Sequence, residues 1–161
     1  MYAGREVTFD QLIHYLWSDD PPRTARSVIQ VQVSHLRRAF PGMISTTSGG
    51  YLADVDPGRV DLHRFRRLRD GADPADPETA LARLSEALEC WRGVPFSGVG
   101  SEHLYYSLVS PLLEERWAAV ADWASYGLSL GRANEVVSYL TPIVRQEPLR
   151  ERLHHHFVTA L

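Results

Sequence analysis

Apolar residues recur at Phe9, Leu12, Ile13, Leu16 and Trp17, the i, i+3, i+4, i+7, i+8 spacing of one helical face. Ahead of them, Thr8 and Gln11 have the spacing of a capping box, and Val7 and Leu12 that of a hydrophobic staple. Ser18-Asp19-Asp20-Pro21-Pro22 ends this helix, because neither proline can donate the hydrogen bond a continuing helix needs. A second helix is predicted from Arg23 or Thr24 to just before Pro41-Gly42, with Ala25, Ile29, Val33, Leu36 and Phe40 as its buried stripe. At roughly 100° per residue, Arg23, Ser27, Gln30, Ser34, Arg37 and Arg38 fall on the opposite half. Beyond Gly42 the period becomes that of strands. Residues 43–48 and 51–55 read as a hairpin, with Gly49-Gly50 at the turn expected to supply positive φ. Asp56-Pro57-Gly58 reads as a turn, and Asp61 as the cap of a short basic helix running to about Arg69.

Gly71 to Pro77 is the best linker candidate, and everything beyond it is patterned as helix. Asp76 caps, and Pro77 opens, a helix with the stripe Leu81, Leu84, Leu88 and Trp91. A Gly/Pro loop covers residues 92–100, and Ser101 opens a short helix. A long helix carries Leu113, Trp117, Val120, Ala124 and Leu128, and Gly131 stops it. Ala133, Val136, Val137, Leu140 and Val144 mark the next, and Leu149, Leu153, Phe157 and Ala160 the last. Helix pairs joined by a brief glycine turn resemble tetratricopeptide-like units of ~34 residues.

Charge is uneven along the chain. Residues 1–69 hold ten arginines against seven carboxylates, and residues 70–161 hold seven against thirteen. From Pro21 to Phe40 there are four arginines and no acid. Such asymmetry suits one half to a polyanion. The single cysteine, Cys90, excludes an intrachain disulfide framework and fits a cytoplasmic setting. No apolar run reaches the ~20 residues that span a bilayer, and Met1 to Glu6 lack the pattern of a secretory signal.

Two helices, a short turn between them and a following hairpin make the order of a winged helix-turn-helix, whose second helix enters the major groove. Arg23, Arg26, Arg37 and Arg38 suit guanine or phosphate, and Gln30 suits adenine. Thr24, Ser27, Ser34 and the wing residues Thr46, Thr47 and Tyr51 are candidate partners that fix register. The competing reading of the same helix is a solvated basic face.

The runs Val7 to Ile13, Leu16 to Pro22 and Thr24-Ala25-Arg26 resemble the SARP family, the antibiotic regulatory activators of actinomycetes. Similarity continues through Gln30-Val31, Val33-Ser34, Leu36 to Ala39 and Gly50-Tyr51-Leu52. Downstream, Ala87-Leu88, Trp91-Arg92-Gly93, Leu130-Gly131-Arg132 and Pro148 to Leu153 resemble that family's bacterial transcriptional activator domain. The resemblance implies a mainly α chain: a partial winged helix-turn-helix with a β-hairpin wing over residues 1–60, then a tetratricopeptide-like activator domain over 61–161, incomplete at its C-terminus. It implies a transcriptional activator of secondary-metabolite genes that binds direct repeats in double-stranded promoter DNA and recruits RNA polymerase. The recognition helix would be about Arg23 to Phe40, and the loop Asp19, Asp20, Pro21 and Pro22 would face polymerase. A homodimer is a further expectation; a membrane, a cofactor and a metal are not expected.

Family members begin their winged domain with a small sheet and another helix, and Met1 lies where that helix would be ending. A fragment, a misplaced start and a shortened natural form are the competing explanations. The alternative function is therefore a protein-interaction or dimerisation module without autonomous DNA binding.

No catalytic constellation is found, so an enzyme is not expected. His154-His155-His156 point ~100° apart on a helix, not in the one-turn spacing of metal-ligating pairs. Cys90 beside Trp91 reads as packing, and Gly98-Val99-Gly100 follows no strand. Glu114-Glu115 reads as an exposed pair.

Overall fold

The structure, a computed structural model, describes residues 4–161. The reading of Met1 as the end of a preceding helix lies outside the described residues. Two compact units are present: residues 1–63 with 93–111, and residues 64–92 with 112–161. The chain thus crosses between units at 63–64, 92–93 and 111–112.

In the first unit, β1 (Glu6–Thr8) leads into α1 (Phe9–Trp17), followed by α2 (Ala25–Ala39), β2 (Ile44–Thr46) and β3 (Gly50–Ala53). The expected capping box is formed. The Thr8 hydroxyl accepts from the Gln11 amide at 3.2 Å, and the Gln11 side chain accepts from the Thr8 amide at 3.0 Å. The same Thr8 closes a strand absent from the hairpin expectation: the sheet order is β1-β3-β2, both pairings antiparallel, with Thr8 opposite Gly50. A three-residue strand is too short for an alternating pattern to announce it, and only its pairing with β3 defines it.

Gly50 corrects a second expectation. Neither Gly49 nor Gly50 has positive φ. A Cβ on Gly50 would instead lie 2.0 Å from the Val7 carbonyl oxygen and 2.7 Å from the Thr8 Cα. Glycine is needed there because another backbone passes too close for any side chain.

The amphipathic stripe of α2 is only half covered. Ala25, Ile29 and Val33 are buried, but Leu36 and Phe40, expected in the core, are 45% and 50% exposed. On α1 no residue is fully buried, and Leu16 is exposed. Periodicity marks the face that a helix can bury, while the neighbours decide whether it is covered. Residues 101–111 add to this unit. Ser101 caps α5 (Glu102–Leu104) by accepting from the Leu104 amide, and a π-helical stretch, Tyr105–Val109, follows with Leu108 and Val109 buried. The His103 ring lies 3.7 Å, centre to centre, from that of His14 on α1.

The second unit contains most of α3 (Asp61–Asp70), with α4 (Pro77–Glu89), most of α6 (Ser110–Ser129), α7 (Ala133–Gln146) and α8 (Glu151–Ala160). Asp76 accepts from the Thr79 amide and Pro77 fills the first turn of α4, as its sequence predicts. Gly131, at φ +72, ends the α6–α7 turn in the left-handed region that glycine adopts without strain. Trp123 meets Tyr139 with ring centres 4.6 Å apart, and Gly127 faces Val136. That register makes α6 and α7 antiparallel, as in tetratricopeptide units. The fully buried large side chains, Phe65, Leu84, Val120, Val136, Leu140 and Leu153, all lie here, each contributing about 1.5–3 kcal/mol by leaving water. Leu149, expected on the last helical stripe, is 92% exposed because it precedes α8 in an unwound turn.

Ion pairs tie the surface helices of this unit together. Arg66 grips Glu115 with two bonds of 2.8 and 2.6 Å, and Arg69 adds a third at 3.2 Å. Glu114-Glu115, read as an exposed pair, is therefore engaged: Arg150 takes Glu114 at 2.6–2.7 Å. No helix of the described residues is long and apolar enough to cross a membrane.

Candidate nucleic-acid interface

The polar face of α2 follows from its buried one. Burying Ala25, Ile29 and Val33 turns positions about 100–180° away toward solvent. Arg23, Thr24, Ser27, Gln30, Ser34 and Arg38 are all exposed. Among the described residues no side-chain hydrogen bond or ion pair engages Arg23, Gln30, Ser34 or Arg38. Thr24 occupies the N-cap position without using its hydroxyl to cap, and no acid sits in the first turn of α2. The amides at that end and the helix dipole therefore favour an anion there.

The other candidates are linked through contacts with one another and with their neighbours, so most of their polar groups are already engaged. Arg37 is half-buried and donates to the Ile44 carbonyl at 3.0 Å and the Thr46 hydroxyl at 2.6 Å, with its guanidinium 5.7 Å from the Tyr51 ring centre. It pins the end of α2 to the hairpin. Arg26 lies 4.5 Å over the Phe9 ring, linking α2 to α1, and Phe9 packs on Tyr51 at 5.2 Å. The Thr47 hydroxyl donates to the Glu6 carboxylate and accepts from the Gly50 amide at 3.0 Å. Glu6 also accepts from the Gly49 amide at 3.1 Å. These groups hold helix, hairpin and β1 in fixed relation.

Two residues on the open face escaped the sequence reading, Val31 and His35, both exposed. Val31 is 51% exposed although apolar. Its place about 200° around the wheel from Ile29 was the available signal. An exposed aliphatic side chain on such a face suits a thymine methyl. The loop Asp19, Asp20, Pro21 and Pro22 is exposed throughout. It starts from Ser18 at φ 55 and closes through the Ala25 amide on the Pro22 carbonyl at 2.9 Å.

Among the described residues no cluster of three or more metal-ligating side chains exists. In the histidine run, burial first, then Arg152 and His155, hold the His156 imidazole below the ordinary histidine range.

Comparison with known proteins adds a second line. The family model described as "Bacterial transcriptional activator domain" matches residues 60–161. Transcriptional regulator RedD of Streptomyces coelicolor is 33% identical over 162 residues, covering 93% of this chain and 46% of RedD. Regulatory protein DnrI of Streptomyces peucetius is 28% identical over 177 residues, covering 100% of this chain and 65% of DnrI. The chain therefore spans about half to two thirds of the length of these curated relatives. A solved structure, Mycobacterium tuberculosis EmbR in complex with low affinity phosphopeptide, superimposes with a TM-score of 0.86 at 28% identity, covering 99% of this chain and 45% of that one.

Proposed function

The chain belongs to the bacterial transcriptional activator domain family, of SARP type, and from that premise we propose that it is a sequence-specific DNA-binding transcription regulator. We take residues 1–60 as the winged DNA-binding part and 61–161 as the activator domain. The observation that carries the proposal is the open face of α2, where Arg23, Ser27, Gln30, Ser34 and Arg38 are exposed beside a hairpin fastened to the helix by Arg37.

On this reading Arg38 and Gln30 reach base edges or phosphates, and Arg23, Thr24, Ser27 and Ser34 fix register on the backbone. Arg26, Arg37, Thr46, Thr47 and Tyr51 act mainly by positioning, because their polar groups and ring faces already have partners. The DNA would be double-stranded, with direct repeats placing successive copies on one side of the duplex. The exposed acidic loop at Asp19 and Asp20 is the surface for RNA polymerase. Such a protein works in the cytoplasm, as a regulator and not as an enzyme.

Fluorescence anisotropy with promoter duplexes at two salt concentrations tests the proposal. Affinity that falls steeply with salt and prefers one sequence is expected, since phosphate contacts release counterions. Binding of no duplex, or binding indifferent to salt, refutes it.

A second reading has its own support. Leu16, Leu36 and Phe40 leave apolar surface open on the first unit, as a protein-interaction module would. In that case the chain self-associates or docks on a partner without binding DNA by itself. Light scattering decides: a stable monomer that shifts DNA removes this reading.

A further inference from the structure

Arg116 on α6 is a half-buried cation without a counterion among the described residues. Its guanidinium lies 4.8 Å from the ring centre of Trp117 and 5.6 Å from that of Trp91. The Arg116 Nε is buried without an acceptor, and so are the indole Nε1 atoms of Trp91 and Trp117. Trp117 itself is only 9% exposed. Buried N–H groups are ordinarily paired, and three unpaired donors here belong to one contact cluster. The cation–π contacts do not account for them. Such contacts engage ring faces through charge and place no acceptor in the plane of an indole N–H.

The neighbouring acids are already matched: Glu115 by Arg66 and Arg69, and Glu114 by Arg150. Arg116, beside them, keeps its charge uncompensated among the described residues. Arg116 as a whole is half-buried, and Nε is the one of its nitrogens found fully buried without a partner. A planar guanidinium fork matches a carboxylate with two parallel bonds. Arg150 also lies over the Trp117 ring, at 5.6 Å, but its charge is met by Glu114, so one unmatched cation beside two indoles favours a singly charged acid with an apolar body over a strongly hydrated phosphate.

We propose that Arg116, packed against Trp91 and Trp117, anchors a binding site for an organic carboxylate, whose oxygens take the guanidinium fork while its apolar body lies against the half-buried Trp91. The acid is either a small molecule or the C-terminal carboxylate of a peptide. Neither source depends on the DNA-binding reading above.

Calorimetric titration of the full chain with benzoate, N-acetylphenylalanine and inorganic phosphate tests this. Saturable binding of at least one carboxylate, with phosphate clearly weaker, is expected. Preference for benzoate points to a small acid, and preference for N-acetylphenylalanine to a peptide end. Arg116→Gln should weaken carboxylate binding at least tenfold, while Arg145→Gln, an exposed arginine on α7, leaves it unchanged. Trp91→Phe keeps a ring against the guanidinium but shortens the surface on which the apolar body rests, and should weaken binding several-fold. A ligand that raises the melting temperature of the parent chain should not raise that of the Arg116→Gln variant. The proposal is overturned if neither carboxylate saturates, if phosphate binds as well, or if affinity survives Arg116→Gln. Should Arg116→Gln fail to fold, unchanged affinity in Trp91→Phe overturns it.

Discussion

Replacing Gly50 by alanine puts a methyl group where the neighbouring strand already runs. The ideal Cβ falls 2.0 Å from the Val7 carbonyl oxygen, 2.7 Å from the Thr8 Cα and 2.9 Å from the Val7 carbonyl carbon. All three are backbone atoms, so no rotamer change relieves the clash. Reaching ordinary contact of ~3.2–3.4 Å requires β1 and β3 to separate by more than ~1 Å, which carries cross-strand hydrogen bonds past their useful length. Overpacking strain of about 1–3 kcal/mol and one or two hydrogen bonds at about 0.5–1.5 kcal/mol each oppose folding. The stiffer unfolded chain returns about 0.4–1 kcal/mol. The net expectation is a loss of roughly 2–4 kcal/mol confined to the first unit.

Gly49→Ala is the milder control, because there the Cβ meets only the Glu6 carboxylate, at 3.0 Å, which need give by only a few tenths of an ångström against its bonds to Thr47 and Gly49. Hydrogen exchange of peptides covering residues 6–17 and 44–53 reads the difference. In Gly50→Ala their amides should exchange faster by roughly one to three powers of ten, at about 1.4 kcal/mol per tenfold. Residues 77–89 should be unaffected, and Gly49→Ala should resemble the parent chain. If Gly50→Ala exchanges like the parent, with an unchanged urea midpoint, close strand approach is not the reason for glycine there.

Three further outcomes follow from named contacts. Arg37→Met should lower the stability of the first unit by roughly 1–3 kcal/mol, since the charged bonds to Ile44 and Thr46 go; a urea midpoint equal to the parent's would contradict its positioning role. Arg38→Ala, exposed and unpaired, should leave thermal unfolding alone but weaken DNA binding and reduce the salt slope by about one unit; an unchanged slope at lower affinity would place Arg38 on a base edge. The Arg66 hydrogen bond holds the Glu115 carboxyl below the ordinary glutamate range against the opposing effect of burial. That stabilisation is full above the unfolded value of about 4.3 and fades as pH falls through the lower folded value. Glu115→Gln should therefore flatten acid unfolding below about pH 4, and an acid limb as steep as the parent's would rule the pair out as its source.

Chemistry local to the chain determined much of this protein. Thr8 and Gln11, Pro21-Pro22, Asp76-Pro77 and Gly131 act on backbone groups within a few residues, so each helix end they predict is found close by. The stripes Ala25-Ile29-Val33 and Val136-Leu140-Val144 needed only the 3.6-residue period to be recognised. The open face of α2 was legible for the same reason, as the complement of its buried stripe.

Tertiary structure decided whatever depends on a distant partner. Strand β1 exists because β3, over forty residues away, supplies its hydrogen bonds, and Gly50 is glycine because of that same neighbour, not because of its own turn. Arg37 and Arg38 are adjacent and identical in type, yet one is fastened to the hairpin and the other open to solvent. Leu36, Phe40 and Leu149 satisfy a helical pattern and remain exposed, because a period names the side that can be covered while only an opposing surface can cover it.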